Sequence, residues 1–197
     1  MNTLVEALEQ LAAGLEKHQE EFTELDSLAG DGDLGLTAGK IAEGIRAALM
    51  DPGDSVKQLV LAVGKEISRA APSTFGTLYA SGFLAAGLAI NDDDDPLDQL
   101  RAGVEAALQK IGQRGKSEEG QRTLLDALGP ASRALHTASD IAGALQAAAR
   151  AAGEGVEATK TMAPQHGRAG WIGDRAKGIA DAGATVVWRS FEVVAEG

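Results

Sequence analysis

Leu4, Leu8, Leu11, Leu15, Phe22 and Leu25 recur at steps of three, four and seven, so residues 3–27 read as one amphipathic helix that ends near Gly30. The same period returns over 36–50, 55–70, 77–90, 96–111, 121–136, 139–162 and 182–195, which makes about eight helices. Alanine and leucine dominate. The one β-branched run, "TVVW" at 185–188, is short and sits in a helix-period context. The pattern therefore predicts an all-α domain, and no linker divides residues 1–197.

Charge and composition narrow the partners. A formal net charge of −11 leaves no clustered Lys and Arg to neutralise phosphates, so nucleic acid is excluded and small molecules, cations or proteins are expected. The chain has no cysteine, hence neither disulfides nor thiolate metal sites. The start "MNTLVEALEQ" lacks the basic opening and unbroken apolar core of a signal peptide, and no apolar run approaches the roughly 20 residues that span a bilayer. A cytoplasmic protein away from membranes is the expectation. The acidic run "NDDDDP" at 91–96 reads as a solvated loop in which Asp95, before Pro96, caps a helix.

A second acidic segment is harder to dismiss. "LDSLAGDGDLGLTAGK", residues 25–40, places Asp26, Asp31 and Asp33 in one glycine-rich turn, where mutual repulsion calls for a cation. An EF-hand counted from Asp31 fails, with Gly35 at the fifth position, Leu36 where glycine is required and Ala42 where the bidentate Glu belongs. His18, His136 and His166 are too scattered for a zinc set. Hard oxygen ligands alone favour Mg²⁺ or Ca²⁺, and a short Asp cluster beside a helix start suits Mg-nucleotide chemistry. The competing reading is a hydrated turn in which Asp33 caps the helix after it.

Two further segments bear on that choice. "APSTFGTLYASG" at 71–82 sets Ser73, Thr74 and Gly76 before an apolar helix, where backbone N–H groups and the helix dipole can face phosphate oxygens. It is not a Walker loop, whose pattern is absent from the chain. "HGRAGWIGDRAKGIADAGA" at 166–184 is a glycine-punctuated loop in an otherwise helical sequence, with Arg168 and Arg175 as planar donors and Trp171 as an apolar lid. The plainer alternative pairs both arginines with surface carboxylates and packs Trp171 as core.

Taken in order, "LDSLAGDGDLGLT", "STFGTLYASG", "GQRTLLDAL" and "HGRAGWIGDRAKGIADAGA" resemble the signature stretches of the nucleotide-binding L subunit of dihydroxyacetone kinases, over nearly the whole chain. The resemblance implies one L-type domain over residues 1–197, an antiparallel barrel of eight helices with a nucleotide site at one end. It implies that Asp26, Asp31 and Asp33 hold two Mg²⁺ ions against the phosphates of ADP or ATP. Thr74, Phe75 and Gly76 would then lie in the phosphate-contacting turn, Thr123 and Leu124 near the adenine, and Arg175 and Asp181 in a lid, with Arg175 acting in catalysis. Four positions depart from the family pattern. Leu34 and Thr37 stand where histidine and asparagine are common, Thr37 thereby joining the nucleotide-binding set. Phe75 replaces a small serine and Gln121 an aspartate.

The resemblance also implies partners. A separate K subunit would bind the ketose while this chain presents the nucleotide, since no nucleophile is evident here and His166 reads as an exposed loop residue. Bound ADP would be recharged either by exchange for ATP or by rephosphorylation from a phosphotransferase-system M subunit. A free-standing chain fits the second route better. The departures keep open ATP exchange, another small sugar, or a nucleotide-binding regulator without transfer activity.

Overall fold

The structure, a computed structural model, describes residues 1–163 and 178–197. Among them are α1 (Asn2–Lys17), α2 (Gln19–Ala29), α3 (Leu34–Leu49), α4 (Val56–Ala70), α5 (Thr74–Ala89), α6 (Pro96–Gly115), α7 (Leu125–Ala134), α8 (Ile141–Thr159) and α9 (Ala182–Glu196), with one 3₁₀ turn, Leu135–Thr137, and no strand. Hydroxyl and carboxylate caps set several starts. Gln58 N–H donates to Ser55 Oγ (3.2 Å), Leu97 N–H to Asp95 Oδ1 (2.7 Å) and Gly143 N–H to Asp140 Oδ1 (2.9 Å). Each such cap contributes about 1 kcal/mol.

The helix expected over 3–27 is broken at His18, whose φ of −100° and ψ of 10° end α1 and reorient α2. The reorientation serves a contact that the local pattern does not reveal. Glu21, in the first turn of α2, accepts from Arg189 Nε (2.9 Å) and Nη2 (2.8 Å) on α9. Burial alone would raise the Glu21 carboxyl, but Arg189 and His18 together hold it below its usual value.

Consecutive helices joined by short connections pack antiparallel, and here they close a ring. α1 packs on α3, α3 on α4, and so on through α8 on α9, with α9 returning to α1; α2 leans on α3 and α9. With α1 and α2 occupying one place, the ring has eight positions, an all-α antiparallel barrel. Glycine permits the closest approaches. A Cβ on Gly64 would meet Leu84 N at 2.9 Å, and one on Gly155 of α8 would strike the Asp126 carbonyl oxygen of α7. Pro130, four residues on, has no N–H for that carbonyl, so α8 approaches where the α7 ladder lacks a bond.

Inside, α5 carries no charged residue and stacks Phe75, Tyr79 and Phe83 one helical turn apart, with ring centroids 5.8 and 5.6 Å from each other. The Tyr79 hydroxyl lies 2.9 Å from Ser190 Oγ on α9, reaching across the barrel. Buried residues fall into two apolar clusters, one centred on α1–α5 and one on α6–α9. Leu25 and Phe75 pack against both. No helix among the described residues is long and apolar enough to cross a membrane.

Candidate functional site

The acidic turn is shaped by its glycines. At the end of α2, Gly30 N–H donates to the Asp26 carbonyl, and Gly32 at φ +75° adopts a left-handed conformation in which a Cβ would meet Ser27 Oγ. That reversal brings Asp31 and Asp33 back beside Asp26. One oxygen from each carboxylate lies within 4.8 Å of the others, with Asp26 half-buried and the other two exposed. Leu34 N–H donates to Asp26 Oδ2 (3.2 Å), so the last turn of α2 ties down the first turn of α3.

Asp33 stands at the N-cap of α3 yet accepts no capping hydrogen bond through its side chain. Its carboxylate is therefore not spent on the helix, which removes the main support for a purely structural reading. The residues fit a hard divalent cation on three counts. The donors are all carboxylate oxygen, two of the three are open to solvent so that water and phosphate can complete the shell, and a Cβ at Gly30 would fill the space beside Asp26 Oδ1.

The turn before α5 stands next to this cluster. Ser73 caps α5, accepting from Gly76 N–H (3.0 Å), so the helix starts at Thr74 and not at the Thr77 suggested by the apolar period. A Cβ on Gly76 would strike the Ala71 carbonyl oxygen, which makes glycine a requirement of the turn. Thr74 is exposed and Phe75 half-buried. The buried Thr37 hydroxyl donates to Ser73 Oγ (3.4 Å), joining the turn to α3. Between them lies a cavity of about 200 Å³ lined by Asp33, Leu36, Thr37, Lys40, Ala71, Pro72 and Ser73.

On the far side, the connection before α7 is bonded and not helical, so α7 starts at Leu125 and not at Gln121. Buried Asp126 accepts from the N–H groups of Gly120 and Thr123, the latter at 2.7 Å, and Thr123 Oγ1 accepts from Leu125 N–H (3.2 Å). Arg122, at φ +58°, donates from Nη2 to the Ile179 carbonyl (2.9 Å), linking this connection to the approach to α9. There Asp181 caps α9 through Ala184 N–H (2.7 Å), while its own N–H donates to Thr159 Oγ1 (2.9 Å). Burial pushes the Asp181 carboxyl up to about 6; the Ala184 N–H and Arg122 work against that rise and Asp126 adds to it.

The two sides meet at Gly183. A Cβ there would lie 3.3 Å from Phe75 Cε2, 3.3 Å from Asp181 Oδ1 and 3.7 Å from Leu124 Cβ. The structure thus gathers Asp26, Asp31, Asp33 and Thr37 around the Ser73–Gly76 turn, and Phe75, Leu124 and Asp181 around Gly183. Arg175, with His166, Arg168 and Trp171, lies outside the described residues. Lys40, Arg122 and Asp126 were not singled out by the sequence. Lys40 falls three residues after Thr37 on the same helical face, and Asp126 falls within "GQRTLLDAL", so the signals were present but unspecific.

Residues 28–196 match the family described as the DAK2 domain. The chain belongs to that family. This DAK2 domain is 32% identical over 187 residues to a D-erythrulose kinase of Mycolicibacterium smegmatis, a match covering 91% of the chain but 32% of the relative. It is 27% identical over 172 residues to the ADP-binding subunit DhaL of PEP-dependent dihydroxyacetone kinase 1 from Listeria innocua, covering 86% of the chain and 83% of the relative. The crystal structure of the C. freundii dihydroxyacetone kinase in complex with AMP-PNP and Mg²⁺ superposes with a TM-score of 0.81 at 27% identity, over the whole DAK2 chain and 34% of the kinase. The chain therefore spans about a third of the length of the erythrulose kinase but most of the length of the DhaL subunit.

Proposed function

We propose that this chain is a single nucleotide-presenting domain of a dihydroxyacetone-type kinase, which holds ADP or ATP with two Mg²⁺ ions while a separate K subunit holds dihydroxyacetone or a related small ketose. The observation that carries the proposal is the convergence on one rim of a three-carboxylate cluster, a serine-capped helix start and the apolar patch of Phe75, Leu124 and Gly183. Acids, oriented N–H donors and an apolar plate are what a metal-nucleotide needs for its cations, phosphates and base.

Asp26, Asp31 and Asp33 would hold the ions, whose charge offsets that of the nucleotide phosphates and of the group in transfer. The remaining work belongs to the chain itself. The Ser73–Gly76 turn fixes the phosphates against the start of α5, with Thr74 exposed beside them, and the Thr37 hydroxyl sets the orientation of Ser73. Phe75 and Leu124 cover the base with Thr123 beside it, and Asp181 anchors the entry to α9. Arg175 stabilises charge that develops in transfer. The acceptor hydroxyl and its base would come from the partner.

A relative named as the ADP-binding subunit of a PEP-dependent kinase supports recharging of bound ADP by a phosphotransferase-system M subunit in the cytoplasm. The AMP-PNP complex of the C. freundii enzyme supports the alternative, exchange for ATP. Thermal unfolding with Mg²⁺ and ADP, then with EDTA, tests the core claim. A ligand at about 100 times its dissociation constant adds roughly 2.7 kcal/mol, which EDTA should abolish. Absence of any nucleotide-dependent shift would sink the proposal, and a shift without partner-dependent formation of sugar phosphate would leave a nucleotide-binding regulator instead.

A further inference from the structure

We propose that Lys40 reads the terminal phosphate of the bound nucleotide and so distinguishes a triphosphate from a diphosphate. The inference rests on the nucleotide reading above and assigns a role within that site. Lys40 lines the cavity between α3 and the turn before α5, together with Asp33, Thr37 and Ser73. At about 200 Å³, that cavity is smaller than the roughly 300–1,000 Å³ of pockets that enclose a whole ligand, so it suits one group of a larger molecule. Phe75, Leu124 and Gly183, which would cover the base, do not line this cavity, which leaves it for the phosphoryl end.

Charge identifies the group. Lys40 is half-buried, and its ammonium takes part in no hydrogen bond or ion pair among the described residues. The other described lysines that are not fully exposed are engaged: Lys57 donates to the Ile90 carbonyl (3.2 Å) and Lys160 pairs with Glu157 (2.6 Å). A partly desolvated ammonium on the wall of a cavity that also presents the Ser73 and Thr37 hydroxyls calls for an anionic oxygen. Three residues beyond Thr37 and seven beyond Asp33, Lys40 lies about two turns further along the same face of α3. It is thus placed to reach phosphate oxygens from the cavity side.

The test is titration calorimetry of the purified chain with Mg²⁺ and either ADP or AMP-PNP, comparing the parent with Lys40→Met and Lys40→Arg. Lys40→Met should weaken AMP-PNP about tenfold, the value of one charge-assisted hydrogen bond, and ADP less than about twofold. Lys40→Arg should restore most of the difference. Equal losses for both nucleotides would reduce Lys40 to a general counter-charge for the acidic turn and overturn the assignment, as would no loss for either. If the parent binds neither nucleotide, the nucleotide reading itself fails; if the parent binds both and Lys40→Met does not discriminate, only this assignment fails. Melting temperatures of the apo variants confirm that each is folded when titrated.

Discussion

Replacing Asp33 by Asn should raise the stability of the metal-free chain and abolish its stabilisation by Mg-ADP. Asparagine keeps the shape of the side chain and is as good an N-cap for α3, so the change isolates charge. Asp33 repels two carboxylates whose nearest oxygens lie within 4.8 Å. At that separation each pair costs about 0.9 kcal/mol in a water-like dielectric, hence about 1.7 kcal/mol for the two. Against this stands the attraction of a carboxylate to the start of α3, roughly 0.3–1 kcal/mol. The net gain on neutralisation is about 1 kcal/mol, or some 2–4 °C for a domain of this size. In 0.5 M salt the gain should shrink, because two of the three groups are exposed. With saturating Mg-ADP the sign reverses: the parent gains roughly 2.7 kcal/mol at about 100 times its dissociation constant and the variant gains almost none. Scanning calorimetry of both proteins with and without Mg-ADP, at low and high salt, reads all these quantities. An apo variant less stable than the parent, or one that retains the Mg-ADP shift, would refute the view that the acids are strained in the absence of a cation.

Two other outcomes follow from the geometry. Because burial lifts Asp181 to about 6, well above its ordinary value near 4, the folded state holds a proton that the unfolded state releases between about pH 4 and 6, so this group lowers stability as pH rises through that window and adds no further slope above it. Asp181→Asn, which keeps the cap on α9, should flatten that segment of the curve in urea unfolding at pH 4 to 7, and an unchanged slope would contradict the assignment. Gly155→Ala should destabilise by about 1–3 kcal/mol, since its Cβ would press on the Asp126 carbonyl and force α8 from α7. A melting temperature equal to the parent's would show that the two helices can part without cost.

Helix type was legible because period and caps agree along most of the chain, as at Asp95 before Pro96. The break at His18 was not. The apolar spacing runs straight through it, and the reason for the bend is a bidentate contact between Glu21 and Arg189, which lies at the opposite end of the sequence. The start of α7 was misplaced for a related reason. Gln121 to Leu124 continue the helical period, but Asp126 takes up the N–H groups of Gly120 and Thr123, and a left-handed Arg122 turns the chain away from helix. At the site, three acids in one turn were visible, whereas the lack of a capping bond at Asp33, which weighs against a purely structural use of that carboxylate, is a fact of geometry. The meeting of Phe75, Leu124 and Gly183 arises only when the ring closes.

Ring closure also explains why acid density alone misleads. In an antiparallel ring, alternate connections lie at the same end. Those before α3, α5, α7 and α9 carry Asp31 and Asp33, Ser73, Thr123 and Leu124, and Asp181, and the contacts of Thr37 with Ser73 and of Gly183 with Phe75 place them side by side. The connections before α4, α6 and α8 belong to the opposite end and carry Ser55, Asp95 and Asp140, whose side chains are occupied as helix caps. The densest run of acids, Asp92 to Asp95, falls in that second set. There Asp92 accepts from Lys57 N–H (3.0 Å) and Asp94 from Asn91 Nδ2 (3.0 Å), so its charges are met by donors already in place and by solvent. Asp26, Asp31 and Asp33 differ from that run in two respects: the fold brings one oxygen of each carboxylate within 4.8 Å of the others, and Asp33, though it stands at an N-cap, makes no capping bond through its side chain.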